Sequence, residues 1–186
     1  EGAAIVCVDE KTGMQAIERK YPTKSAQPGK PVRVEFEYKR HGTQSLISSY
    51  DVLTGGVYAS CGKTRTADDL VEFMEELADL YDEGDVHIIW DNLNTHKGER
   101  WNKFNERHSG RFHFHYTPIH ASWLNQIEIF FSILQKRVLK RSSFLSEEEL
   151  QTQVLNFIDR WNEFEAHPFK WTFKGKFETK DKLKAA

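Results

Sequence analysis

Ile5-Val6-Cys7-Val8 is an unbroken apolar run, the pattern of a strand buried on both faces. It gives way to Asp9-Glu10 and then Lys11-Thr12-Gly13, where the strand is expected to stop. Pro22, Pro28, Gly29 and Pro31 fall within residues 19–31 and predict a loop. Over residues 32–38 the chain alternates, Val32, Val34, Phe36 and Tyr38 against Arg33, Glu35 and Glu37, which predicts a half-exposed strand. Apolar stretches at 46–52 and 57–61 flank Thr54-Gly55-Gly56 and predict a hairpin. Leu70, Phe73, Met74, Leu77, Ala78 and Tyr81 recur at helical spacing, with Thr66 or Asp68 placed to cap that helix and Gly84 to stop it.

A second buried-type strand, VHIIW at 86–90, ends abruptly at Asp91-Asn92. Trp101, Phe104 and His108 predict a short helix closed by Gly110, and residues 112–116 alternate as another strand, ended by Thr117-Pro118. A long helix is expected over about 124–141, with Trp123 and Leu124 as core anchors. Ser146-x-x-Glu149 has the spacing of a capping box for a last helix through Phe164. This order predicts an α/β fold: a mixed sheet of about five strands with helices on its faces. The expected division is a domain over 1–168 and a lysine-rich tail over 169–186.

At 186 residues and 39% hydrophobic, the chain can bury a core without staples. Its two cysteines, Cys7 and Cys61, exclude a disulfide framework and a four-cysteine zinc site, and are expected to be inert core thiols. No stretch approaches the roughly 20 apolar residues of a membrane span, and the N-terminus does not read as a signal peptide. A soluble protein of a reducing compartment, the cytoplasm, is expected. The net charge of -2 does not announce a nucleic-acid binder, but the charge is segregated. Nine acids and no base lie in 68–85, four bases and no acid in 136–141, and six lysines against two acids in 170–184. A chain polarised in this way can present one anion-seeking face.

Three carboxylates stand out by position. Asp9 and Asp91 each close a buried strand, and sites in α/β sheets gather at the carboxyl ends of central strands. Glu128 sits among Ile127, Ile129, Phe130 and Phe131, near a buried seam where an unpaired charge is expensive. Converging carboxylates need a cation, and oxygen-only ligation favours magnesium or manganese over zinc. Two such ions roughly 3.5–4 Å apart can act on both the attacking and the leaving oxygen of a phosphodiester. Each acid also has a plainer reading: Asp after a strand favours turns, and Asn125-x-x-Glu128 has capping-box spacing. His113-x-His115, with His120 nearby, lacks the paired cysteines or H-E-x-x-H that would argue for zinc.

VCVDEKTG, EYKRHGT, IIWDNLNTHK and HYTPIHASWLNQIEIFFSIL together resemble the catalytic domain of insertion sequence 630 family transposases, bacterial relatives of the mariner transposases. The resemblance runs from about Ile5 to Trp171. It implies a ribonuclease H-like fold and an acidic triad of Asp9, Asp91 and Glu128 binding two magnesium or manganese ions. It implies cutting of transposon ends and joining of the freed 3′ hydroxyl to target DNA, dimers on DNA, no membrane, and a place in the bacterial or archaeal cytosol near the nucleoid. Asn92, His96 and Asn125 are then active-site support: Asn92 steadies the loop, His96 orients an acid or contacts phosphate, and Asn125 caps the helix. Lys97, Lys136, Arg137, Lys140 and Arg141 are candidate DNA contacts, and Arg40-His41-Gly42-Thr43 is a loop of structural or DNA-contacting role. Relatives carry helix-turn-helix modules ahead of this domain. With eight residues before Asp9 none fits here, so a fragment or the product of a split element is expected. Two alternatives stand beside this reading: a ribonuclease H-like nuclease that only hydrolyses, and a DNA-binding remnant without catalysis.

Overall fold

The computed structural model describes residues 2–21, 24, 26–31, 33, 36–118, 121–140 and 142–172. Five strands form one sheet in the spatial order β3-β2-β1-β4-β5. They are β1 (Ala4–Arg19), β2 (Tyr38–Asp51), β3 (Val57–Gly62), β4 (Val86–Trp90) and β5 (Phe112–Tyr116). β1, β2 and β3 pair antiparallel, whereas β4 runs parallel to both β1 and β5. The helices are α1 (Ala67–Leu80), α2 (Glu99–Arg107), α3 (Ile127–Leu134) and α4 (Glu147–Arg160). A π-helical stretch, Gln135–Leu139, continues α3, and another, Trp161–Glu165, continues α4. The mixed α/β fold expected from the sequence is therefore present.

Alternation along the strands sends side chains to two cores. Val6, Val8, Ile47, Val86, Ile88, Trp90 and Phe112 pack with the apolar stripes of α1 and α2. Cys7, Met14, Ala16, Leu46 and Tyr50 pack on the other face against α3 and α4. Thr66, not Asp68, caps α1: its side chain accepts from the Asp69 N–H while the Asp69 carboxylate accepts from the Thr66 N–H. Phe169 stacks on Tyr50 with ring centroids 4.6 Å apart, so the chain is still packed on the domain there.

Several local expectations are corrected. β1 does not stop at Asp9 but runs on to Arg19, because its second half pairs with β2, with Gly13 at φ +69 inside a register shift between Lys11 and Met14. Residues 40–43 are not a loop but part of β2. Gly42, at φ +145, leaves the space where a Cβ would meet the Glu147 side chain at the start of α4. α1 ends at Leu80, before Gly84, and α3 starts at Ile127, after a 3-10 turn over Ser122–Leu124. Trp123 is no core anchor, being 52% exposed, while Leu124 is half-buried. Of the strand expected at 32–38, residues 32, 34 and 35 lie outside the described residues, Arg33 bridges Lys24, and Phe36 is exposed and outside any strand. His120 and residues 173–186 of the tail also lie outside them.

Candidate active site

The parallel register of β1 and β4 ends at Cys7 opposite Ile89. Asp9 and Asp91 each lie two residues past that last pair, and Asp9 shares a strand face with Cys7, the face that packs against α3. Asp9 is thus not at the end of its strand but where the β4 pairing ends and only the β2 pairing, Asp9 opposite Ser48, continues. Its side chain is 6% exposed. One carboxylate oxygen accepts the Glu10 N–H at 2.8 Å, and the other accepts from Asn125 Nδ2 at 3.3 Å. Burial pushes the Asp9 pKa from its ordinary 3.8 to about 7. The Glu10 N–H works against that rise, and the negative charges of Asp91, Glu10 and Glu128 add to it.

Asp91 is less buried, and its Oδ1 is tied down from its own loop. That oxygen accepts from the Leu93 N–H at 3.0 Å and lies 2.9 Å from His96 Nδ1. Oδ2 has no protein partner among the described residues. His96 is fully buried and stacks on Trp90 with ring planes 2° apart. Its Nδ1 also lies 3.1 Å from the Asp91 carbonyl oxygen, and its Nε2 lies 3.4 Å from Glu10 Oε1. Burial lowers the imidazole pKa, but the contacts with Glu10 and Asp91 carry it above its ordinary value. Asn92 donates from Nδ2 to the Thr117 carbonyl, joining the loop after β4 to the chain after β5.

Glu128 occupies the first turn of α3. Its neighbours Ile127, Phe130 and Phe131 are buried, but Glu128 itself is exposed, so the seam passes beside it and not over it. Its charge acts on Asp9 and on Lys11. Asn125 does not cap α3 with its side chain. It is fully buried and donates from Nδ2 to the Val8 carbonyl at 2.9 Å as well as to Asp9.

The two residues after Asp9 also enter this site, although neither is among the acids singled out by position. Glu10 points to the opposite sheet face, with Val6 and Val8, and its side chain is 3% exposed against His96. Lys11 returns to the Asp9 face, half-buried, with Nζ 5.9 Å from the centre of the Phe131 ring. Its ammonium forms no ion pair or hydrogen bond among the described residues, and burial lowers its pKa while Glu128 raises it. Strand alternation was the signal that could have found both.

The structure separates the candidate DNA contacts from one another. Lys97 is exposed at the loop before α2, near Asp68 and Lys103. Lys136, Arg137 and Lys140 are exposed beyond the far end of α3, with Arg137 paired to Glu165. Arg141 lies outside the described residues. His113 and His115 sit beside His87 on β4, with 2.8 Å between His87 Nδ1 and His115 Nε2. Burial pushes the Cys7 and Cys61 thiols up to about 11, which keeps both protonated at neutral pH.

The donor chemistry at Asp9, Asp91 and Glu128 is all oxygen, and their mutual repulsion is what a divalent cation relieves. Among the described residues, no three His, Cys, Asp or Glu side chains are already close enough together to hold an ion. The acids are therefore close enough for their charges to act on Asp9, beyond the parting of the central strands β1 and β4, but are not closed into a coordination sphere. No helix among the described residues is long and apolar enough to cross a membrane.

Compared by sequence with curated proteins, the chain has no significant match. By structure it is similar to the Mos1 transposase in its paired-end complex with the left transposon end, with a TM-score of 0.62 at 19% identity over 87% of this chain. It is similar to the Mos1 mariner paired-end complex with Mn at TM-score 0.59 and 20% identity, again over 87% of this chain. It also matches the HTLV-2 integrase catalytic core domain in complex with magnesium, at TM-score 0.52 and 15% identity over 88% of this chain and 87% of that one. These likenesses establish the fold as that of transposase and integrase catalytic cores. The chain spans 48% of the Mos1 chain in each of those two complexes. A family model described as DDE superfamily endonuclease matches residues 4–151, most of the length, and the chain belongs to that family.

Proposed function

We propose that this chain is the catalytic domain of an insertion sequence 630-type transposase, which cuts DNA at transposon ends and joins the freed 3′ hydroxyl to target DNA. The observation that carries the reading is the Asp9 carboxylate, buried to 6% exposure and crowded by the charges of Asp91 and Glu128 at the edge where β1 and β4 part. Asp9, Asp91 and Glu128 would hold magnesium or manganese, the ions named with the HTLV-2 integrase core and with Mos1. A divalent cation bound there supplies Lewis acidity to a phosphodiester.

The chain's own residues supply placement. Asn125 and the Glu10 N–H orient Asp9, and the Leu93 N–H and His96 fix one oxygen of Asp91. Glu128, exposed on the first turn of α3, is the acid free to rotate toward its partners. Lys11 brings an ammonium to the same face of β1 as Asp9 and faces the DNA phosphate charge. The chemistry is in-line displacement at phosphorus: water displaces the terminal 3′ oxygen of the transposon end, leaving the phosphate on the flank, and that freed 3′ hydroxyl then displaces a 3′ oxygen of the target strand. DNA is the partner, and a second copy of the chain would pair two ends.

The test uses the full chain, magnesium and duplexes ending in the inverted repeat that flanks its gene. Strand-transfer products are expected from pre-cut ends and should vanish in Asp91→Asn, which is nearly isosteric. Cleavage without joining would favour the hydrolytic nuclease, and binding without either would favour the inactive remnant. Wild-type rates in Asp91→Asn would remove that residue from the mechanism.

A further inference from the structure

Glu10 is an expensive residue where it stands. Its side chain is 3% exposed, Oε1 lies 3.4 Å from His96 Nε2, and Oε2 is buried with no hydrogen-bond partner among the described residues. A buried carboxylate with one oxygen unsatisfied costs stability, and an apolar residue of similar size would ordinarily relieve that cost. Among the described residues, the polar partner of its side chain is His96. The imidazole is itself fully buried, wedged by stacking on Trp90, and its other nitrogen lies 2.9 Å from Asp91 Oδ1.

We infer that Glu10 is a positioning residue: it fixes the His96 ring, and through the ring the carboxylate of Asp91, so that Asp91 Oδ2 stays available to a cation. The chain of contacts passes from β1 to the loop after β4, at the centre of the sheet. Asp9 and Glu10 are adjacent on β1 but face opposite sides of the sheet, so one strand carries the first acid on one face and braces the second acid from the other. Both ring nitrogens face acceptors, a geometry that locks ring rotation as well as ring position. Outer-shell partners of this kind change metal affinity by about 10- to 100-fold when removed. The inference rests on the reading of Asp91 as a metal ligand, and the test keeps the two separable.

The experiment measures Mn2+ binding to the full chain by calorimetry, with ring 15N spectra of His96, in wild type, Glu10→Leu, Glu10→Gln and Asp91→Asn. Glu10→Leu is expected to keep or raise the melting temperature while weakening Mn2+ binding about tenfold and shifting the His96 ring resonances. Glu10→Gln, which keeps an acceptor for Nε2–H, is expected to recover most of that affinity. Wild-type Mn2+ affinity and unchanged His96 resonances in Glu10→Leu would overturn the inference. If Asp91→Asn binds Mn2+ as wild type does, the reading of Asp91 fails instead. Should Glu10→Leu not fold, the wild-type spectrum decides: a protonated, slowly exchanging His96 Nε2 supports the contact, and a bare Nε2 refutes it.

Discussion

Asn125 Nδ2 lies 2.9 Å from the Val8 carbonyl oxygen and 3.3 Å from Asp9 Oδ2, so one buried amide fastens the start of α3 to the strand that carries the first acid. Both contacts are long-range in sequence, and they set the distance between Asp9 and Glu128. Asn125→Ala leaves a carbonyl and a carboxylate without their donor and is expected to cost about 1–3 kcal/mol in urea unfolding. Mn2+ binding should weaken along with it. Asn125→Asp also removes the donor and sets a second carboxylate against Asp9, so the metal-free protein is expected to lose at least as much stability. An alanine variant with unchanged stability and unchanged Mn2+ affinity would show that the amide fastens nothing.

Asp9 makes the metal-free protein sensitive to pH in a defined direction. Burial, with the charges of Asp91, Glu10 and Glu128, raises its pKa from 3.8 to about 7 in the fold. A raised pKa means that the folded state holds the proton more tightly than the unfolded chain. The stabilisation is therefore complete below about pH 4 and is lost as pH rises through about 7. Asp9→Asn removes that loss. In EDTA at pH 8 the variant is expected to be more stable than wild type, by on the order of 2–4 kcal/mol, with the gap closing toward pH 4. Magnesium should recover stability in wild type and not in the variant. Parallel melting curves of the two proteins from pH 4 to 8 would contradict the assignment.

The parts of this fold that can be read from residues alone are those whose signal is local. The runs at 5–8 and 86–90 are apolar at every position but His87, so the strands declare themselves. Beyond Asp9, β1 pairs only with β2, and Gly13 at a register shift looks the same as a strand end. The spacing Asn125-x-x-Glu128 is likewise identical for a helix cap and for an amide that reaches back to β1. Only tertiary contact decides between them. Asp9 and Asp91 stand out because each directly follows an apolar run. Alternation puts Glu10 on the face opposite Asp9, but its partnership with His96, 86 residues away in sequence, leaves no local signal to find.

The basic residues after α3 are not equivalent. Arg137 pairs with Glu165 and holds that carboxyl below its usual range, whereas Lys136 is exposed with no ion pair among the described residues. If this helix end meets DNA, Lys136→Ala should reduce the slope of log affinity against log salt by about one, and Arg137→Ala by clearly less. Fluorescence anisotropy across a salt series measures both. Equal slopes in all three proteins would return the helix end to solvent.

Lys11 gives a sharper test of where the DNA lies, because it sits beside the acids. Its ammonium is half-buried, forms no ion pair among the described residues, and has the Phe131 ring and the Glu128 charge as its surroundings. Holding a cation there costs desolvation, so Lys11→Met is expected to leave the melting temperature unchanged or raise it. The same change should lower DNA affinity and flatten the salt slope by about one, since it deletes a charge that would meet a phosphate. Lys11→Arg keeps the charge and should keep the slope. A Lys11→Met protein that binds DNA with the wild-type salt dependence would mean that the backbone does not pass over this face of β1, and the path of the DNA would have to be sought on the other side of the acids.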